Sequence, residues 1–139
     1  MKYDFIYLAS QSPRRQELLS QIGVRFQLLL PTPEEDAESL ELVLENERAA
    51  DYTQRVTIAK SIAAIKRWQQ QRQFNRDFPW APIVCADTTV SLPDSPDHEI
   101  LGKPRDEEDA VRILQILSGQ THWVYTAVAI TRANKYPSL

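Results

Sequence analysis

The chain of 139 residues predicts an α/β fold built on a mixed sheet, because short apolar runs that read as strands alternate with helix-period segments along its length. Two observations weigh most. The strand-like segment Tyr3-Asp-Phe-Ile-Tyr-Leu-Ala9 passes at once into Ser10-Gln-Ser-Pro-Arg-Arg15, which opens a helix. A largely apolar run over residues 82–92 reads as a central strand. There is no internal repeat.

Taken in order, the first helix covers Gln16-Glu-Leu-Leu-Ser-Gln-Ile22, with Ser12 placed to cap and Pro13 at the first helical position, where its missing N–H has no partner to lose. Gly23 stands where a left-handed C-cap residue belongs. Residues 24–30 read as a buried strand closed by Pro31-Thr-Pro33. The acidic stretch 34–47 leads into a helix running to about residue 68, in which Ile58, Ile62 and Ile65 repeat at helical spacing beside Ala59 and Ala63. Residues 69–81 are polar and glutamine-biased, and read as an exposed loop or helix extension, not as a domain linker. After the central strand come a turn at 93–97, a short strand at 99–101, a helix at 106–117 ended by Ser118-Gly119, and an alternating last strand at 121–131.

Composition fits one domain. Hydrophobic residues at 42% and charged residues at 25% are ordinary globular values, so disorder is not expected. A formal net charge of −3 argues against a general nucleic-acid surface. The single cysteine, Cys85, excludes an internal disulfide and fits a reducing compartment. No long apolar stretch suggests a signal peptide or a membrane span, so the cytoplasm is expected.

The strand-to-helix junction at Ser10–Arg15 carries the most chemistry. A helix start offers open backbone N–H groups and a positive dipole end, and two arginines with two serine hydroxyls add donors suited to phosphate oxygens. The same residues also read as a capped helix with two solvated arginines. Asp87 lies inside an apolar strand, where a carboxylate is costly unless it meets a metal, a cation or hydrogen bonds; the alternative is a turn or capping role. Glu35 belongs to an acidic run that by itself reads as a solvated face. Lys60 reads alone as a surface lysine, whereas Lys103 sits between Gly102 and Pro104 in what should be a tight loop. Two histidines, His98 and His122, cannot build a zinc-type cluster. Cys85 has no evident histidine partner and reads as a small core residue. Trp68, Trp80 and Trp123 read as core or loop packing before base stacking.

Together these stretches resemble the Maf-type nucleoside triphosphate pyrophosphatases. The resemblance rests on Leu8-Ala-Ser-Gln-Ser-Pro-Arg-Arg-Gln-Glu-Leu-Leu19, Glu34-Glu35, Ala59-Lys60, Ala86-Asp87-Thr88, Leu101-Gly-Lys-Pro104, Asp109-Ala110, Leu117-Ser-Gly-Gln-Thr-His122 and Thr126-Ala-Val128. Their order and spacing cover nearly the whole chain. It implies the ITPase-like, Maf-type fold, a mixed twisted sheet flanked by helices, in a single domain over residues 1–139. Family members continue past Val128, so a C-terminal part is expected to be missing.

The resemblance further implies hydrolysis of dTTP, UTP and modified pyrimidine nucleotides to monophosphate and pyrophosphate with Mg²⁺ or another divalent cation such as Mn²⁺. Asp87, Glu35, Lys60 and Lys103 would be catalytic, Asp87 and Glu35 would hold the metal, and Ser10, Arg14, Arg15 and Thr88 would bind substrate. Glu34 stands in for Glu35 if the register slips by one. A link of the family to septum formation, and a catalytically impaired nucleotide-binding remnant, are the alternatives. The expected partner is a nucleoside triphosphate, with neither nucleic acid nor membrane. A sheet edge left uncovered at the last strand makes a homodimer the expected state.

Overall fold

A computed structural model of the protein describes residues 3–92 and 99–132. The elements in chain order are β1 (Ile6–Leu8), α1 (Pro13–Gln21), β2 (Phe26–Leu28), a short 3-10 helix (Glu38–Glu41), α2 (Ala49–Phe74), β3 (Pro82–Ser91), β4 (Ile100–Leu101), α3 (Glu107–Leu117) and β5 (Trp123–Arg132). The turn expected at 93–97 and His98 fall outside the described residues.

The sheet is mixed, as the alternating pattern implies. β1 pairs in parallel with β2, setting Leu8 opposite Leu28, and with β3, setting Leu8 opposite Val84. β4 runs antiparallel to β3 with Val90 opposite Leu101, and β5 also pairs with β3. Parallel neighbours need a crossover. α1 supplies it between β1 and β2, and α2 lies in the long connection to β3.

The chain divides into two compact units, one of Met1–Leu42, Val56–Ala86 and Val128–Leu139, the other of Val43–Arg55 and Asp87–Ala127. In the first, Tyr7, Leu29, Ala64, Ile65, Trp68, Ala81, Ile83 and Cys85 form the core, with Phe5, Ala9 and Phe78 packed against it. Trp68 anchors one end of that core. Its ring lies 4.1 Å from Trp80, its indole N–H donates to Pro79 O at 3.1 Å, and Arg72 stacks over both tryptophans. Tyr7 donates to the same Pro79 carbonyl at 2.8 Å, so one backbone oxygen satisfies two buried aromatic polar groups. In the second unit, Asp106 caps α3 by accepting from Asp109 N at 2.8 Å, and the nearly buried Asp109 carboxylate accepts from Arg105 N and Arg112 Nε.

Several boundaries and faces differ from those the sequence suggests. Residues 69–74 continue α2, so the polar stretch begins as helix and turns to loop only beyond Phe74. Glutamine and arginine are good helix formers, which explains the extension. The strand expected to be buried over 24–30 shortens to β2, with Leu28 and Leu30 exposed and only Leu29 in the core. The phase of α2 also differs: Ile62 is exposed, while Val56, Thr57, Ser61, Ala64, Ile65 and Trp68 are buried. The buried stripe keeps helical spacing but uses small and hydroxyl residues, which let a helix lie close to a sheet where three isoleucines would not fit. Gly23 does take positive φ (76°), as its C-cap position requires.

Removing the Trp68 side chain should therefore be among the most damaging core changes. Trp68→Ala is expected to destabilise by about 3–5 kcal/mol, read as a lower urea midpoint at unchanged slope; a shift under about 1 kcal/mol would mean that the Pro79 loop is not held by this ring.

Candidate active site

The first unit gathers the cradle residues. Ser12 caps α1, its hydroxyl accepting from Arg15 N at 3.4 Å. Ser10, nearly buried, is the hub of the turn: its Oγ accepts from Ser12 N at 3.2 Å and from Arg15 Nη1 at 3.0 Å. The backbone donors expected to stand open are therefore partly answered by these two serines. The outward face is chiefly side-chain charge, with Arg14 exposed and Arg15 half-buried.

The thiol of Cys85, fully buried on β3, has its pKa pushed up by burial, countered by the neighbouring Ser61 hydroxyl and then by the positive charges of Arg67, Lys60 and Arg15. Cys85 itself stays a protonated packing residue, in keeping with the absence of a histidine partner in the sequence. Beside it the fully buried Ser61 Oγ has no hydrogen-bond partner of normal geometry among the described residues.

Glu35 is held as firmly as any side chain in the site. Arg67 Nε and Nη2 donate to its two carboxylate oxygens at 2.9 and 2.8 Å, and Thr32 N donates to Oε2 at 2.8 Å. Arg67 is 6% exposed and also donates to Leu29 O at 2.8 Å. The guanidinium fork and the Thr32 amide hold the Glu35 pKa below the ordinary carboxylate value. Arg67 is the residue that sequence reasoning missed. Its signal was present: it lies two helical turns beyond Lys60, flanked by Ile65 and Trp68, and an arginine there must be paired. Lys60 is likewise engaged, its Nζ 2.7 Å from Glu41 Oε1.

The remaining predicted residues belong to the second unit. Asp87 is half-buried in the middle of β3, not at a strand end, and its Oδ2 accepts from Thr89 Oγ1 at 3.3 Å. The polar Thr89 therefore has a use: it solvates a carboxylate inside the strand. Thr88 is exposed and shares a hydroxyl contact of 3.0 Å with Thr126. Lys103 is exposed between β4 and α3, and a Cβ added at Gly102 would meet nothing within 4 Å, so the loop there is less confined than Gly-Lys-Pro suggests. Glu34 and His122 are exposed. Among the described residues no group of three or more His, Cys, Asp or Glu could hold a metal ion, and no helix is long and apolar enough to cross a membrane.

Compared with known proteins, residues 5–138 match the family model described as Maf-like protein. The chain belongs to the Maf family. It is 52% identical over 132 residues to the dTTP/UTP pyrophosphatase of Albidiferax ferrireducens, covering 95% of this chain and 62% of that protein. It is also 52% identical over 132 residues to the protein of that name from Burkholderia orbicola, covering 95% of this chain and 59% of the relative. With the Cupriavidus pinatubonensis protein of the same name it shares 52% identity over 128 residues, 92% of this chain and 60% of that one. This Maf chain thus spans about three fifths of the length of the curated relatives it matches.

The Arg67–Glu35 pair makes a pH-dependent prediction. Arg67→Met leaves the buried Leu29 carbonyl and the Glu35 carboxylate without their main donor, and is expected to lower stability at pH 7 by about 2–3 kcal/mol. The folded Glu35 pKa is depressed, so its contribution is present above the unfolded carboxylate pKa and fades as pH falls through the lower folded value. Urea titrations of both proteins should therefore converge in stability on acidification below the carboxylate range; a constant difference across pH would remove Glu35 from the pair's energetics.

Proposed function

We propose that this Maf chain binds a nucleoside triphosphate, dTTP or UTP in the first place, and hydrolyses it between the α- and β-phosphates to monophosphate and pyrophosphate. The observation that carries this reading is the serine-capped start of α1, where Ser10 Oγ accepts from Arg15 Nη1 at 3.0 Å and Arg14 stands exposed beside it. A helix start with two guanidinium groups beside it suits the oxygens of a polyphosphate. Arg15 and Lys60 are both side chains with access to solvent. The names of the relatives, dTTP/UTP pyrophosphatases, support the choice of dTTP and UTP.

In this reading Arg14 and Arg15 grip phosphate oxygens with planar forks, Ser10 aims the Arg15 guanidinium through its 3.0 Å bond, and Lys60 and Lys103 add point charges. Their combined work is electrostatic. Attack of water on the α-phosphorus builds negative charge on the departing pyrophosphate, and cations fixed before the reaction stabilise it without reorganising. Thr88, an exposed hydroxyl that also meets Thr126 at 3.0 Å, is assigned to the nucleotide.

The carboxylates divide. Asp87 fits a divalent cation, Mg²⁺ or Mn²⁺, being half-buried with one oxygen steadied by Thr89, and Mg²⁺ commonly takes only one or two carboxylates with phosphate and water oxygens completing its shell. Glu35 fits less well, since both of its oxygens already accept from Arg67. When bound, such a cation would neutralise phosphate charge and lower the pKa of its water. In this reading the protein is cytoplasmic and works as a homodimer.

Pyrophosphate release from UTP with Mg²⁺ tests the activity. The wild type should turn over, Asp87→Asn should lose turnover while keeping its thermal melting point, and Arg15→Lys should lower kcat/KM about tenfold or more, because the fork is lost though the charge remains. Nucleotide-dependent thermal stabilisation without pyrophosphate release would leave a binding protein. Unaltered kinetics in Arg15→Lys would remove the cradle from the active site, and light scattering at the mass of a monomer would remove the homodimer.

A further inference from the structure

We propose that Asp109 is a positioning residue for Lys103, fixing the far end of the loop that presents the lysine to a nucleotide phosphate. This rests on the assignment of Lys103 to phosphate made above. The loop runs from β4 to α3 within the second unit, and at its near end Leu101 is buried and paired with Val90 across the sheet. Gly102 adds no confinement, since a Cβ there would meet nothing within 4 Å. At the far end the backbone is caught, because Arg105 N donates to Asp109 Oδ2 at 3.0 Å. Gly102, Lys103 and Pro104 therefore span the gap between fixed points, and the proline ring restricts the backbone on both sides of its bond to the lysine.

The position of Asp109 distinguishes this bond from ordinary helix capping. In a capping box the third helical residue reaches back to the N–H of the cap residue itself. Asp106 is the cap of α3 and accepts from Asp109 N at 2.8 Å, but the Asp109 carboxylate passes over Asp106 to the N–H of Arg105. The bond thus ties loop to helix. Its other oxygen, Oδ1, accepts from Arg112 Nε at 2.9 Å, and Arg112 Nη1 donates to Glu99 Oε1 at 3.2 Å, next to β4. The Arg105 guanidinium, 3.7 Å from Oδ2 and 84% exposed, adds little. The Asp109 side chain is only 8% exposed, and the Arg105 amide, followed by Arg112, holds its pKa below the ordinary carboxylate value. A lysine has a flexible stem, so what a fold can fix is the backbone it starts from. Fixing that backbone in advance lessens the ordering left to do when a phosphate binds.

Calorimetric titration of the full chain with UTP in metal-free buffer, below the melting point of each variant, tests this. Lys103→Met is expected to weaken binding about tenfold. Asp109→Ala should weaken it about three- to tenfold, and the double variant should be no weaker than Lys103→Met by itself, because Asp109 acts through the lysine. Asp109→Asn keeps an oxygen for the Arg105 N–H and should recover most of the affinity. Should Asp109→Ala not fold, Asp109→Glu carries the test: its longer side chain can still cap α3 by reaching Asp106 N, yet releases Arg105, so it should fold and bind more weakly than the wild type. Amide exchange at Arg105 should quicken in either variant. Full affinity in both of these variants once folded, with Lys103→Met still impaired, would overturn the proposal and leave Asp109 a helix cap; additive losses in the double variant would do the same. Unchanged affinity in Lys103→Met, or no binding of UTP by the wild type, would withdraw the Lys103 assignment and this proposal with it.

Discussion

A guanidinium group that is nearly sealed from water must have its donors answered inside the protein, and Arg67 meets that demand through Glu35 and the Leu29 carbonyl. Much of the first unit is arranged around this requirement. The bonds tie the middle of α2 to the end of the β2 region and to the loop after Pro31-Thr-Pro33, where Thr32 N adds its own bond to Glu35. With that loop fixed, the segment running on through the 3-10 helix has a defined origin, and Glu41 comes within reach of Lys60, two turns back along α2. A neutral residue at position 67 would make no such demand, and the loop would be held by its own short-range bonds alone.

Arg15, Lys60 and Arg67 consequently perform different tasks. Arg67 is spent on the protein. Arg15 is oriented by Ser10, whose Oγ accepts from its Nη1 at 3.0 Å. Lys60 meets Glu41 at a more open place, with side chains 24% and 38% exposed. The difference between this pair and Arg67–Glu35 is one of burial. The deeper a charge lies, the more it costs to leave it unpaired.

Local chemistry was readable in the sequence wherever it depends on a few neighbouring residues. The Ser12 cap, Pro13 at the head of α1 and the left-handed Gly23 each follow from one residue's conformational or hydrogen-bonding preference. The alternation of strands and helices announced the mixed sheet, and the motif order announced the Maf family. Long-range pairings were not readable. Glu35 looked like one member of an acidic run until Arg67, 32 residues away, was seen to hold it, and Ile62 looked like core until the smaller Ser61 and Ala64 were found on the buried side of α2. Spacing fixes the period of a helix but not which of two adjacent stripes faces the sheet. Asp87 was recognised as an anomaly in an apolar strand, yet the Thr89 hydroxyl that accommodates it needed the structure.

The division of labour among the cations can be observed side chain by side chain. Arginine Nε–Hε and lysine Nζ signals followed by NMR during a titration with tripolyphosphate should show Arg15 and Lys60 shifting with the ligand while Arg67 stays where it is, held by Glu35 and Leu29. A large movement of the Arg67 signal with Arg15 and Lys60 unmoved would contradict this division, placing the anion on the residue that the fold itself employs.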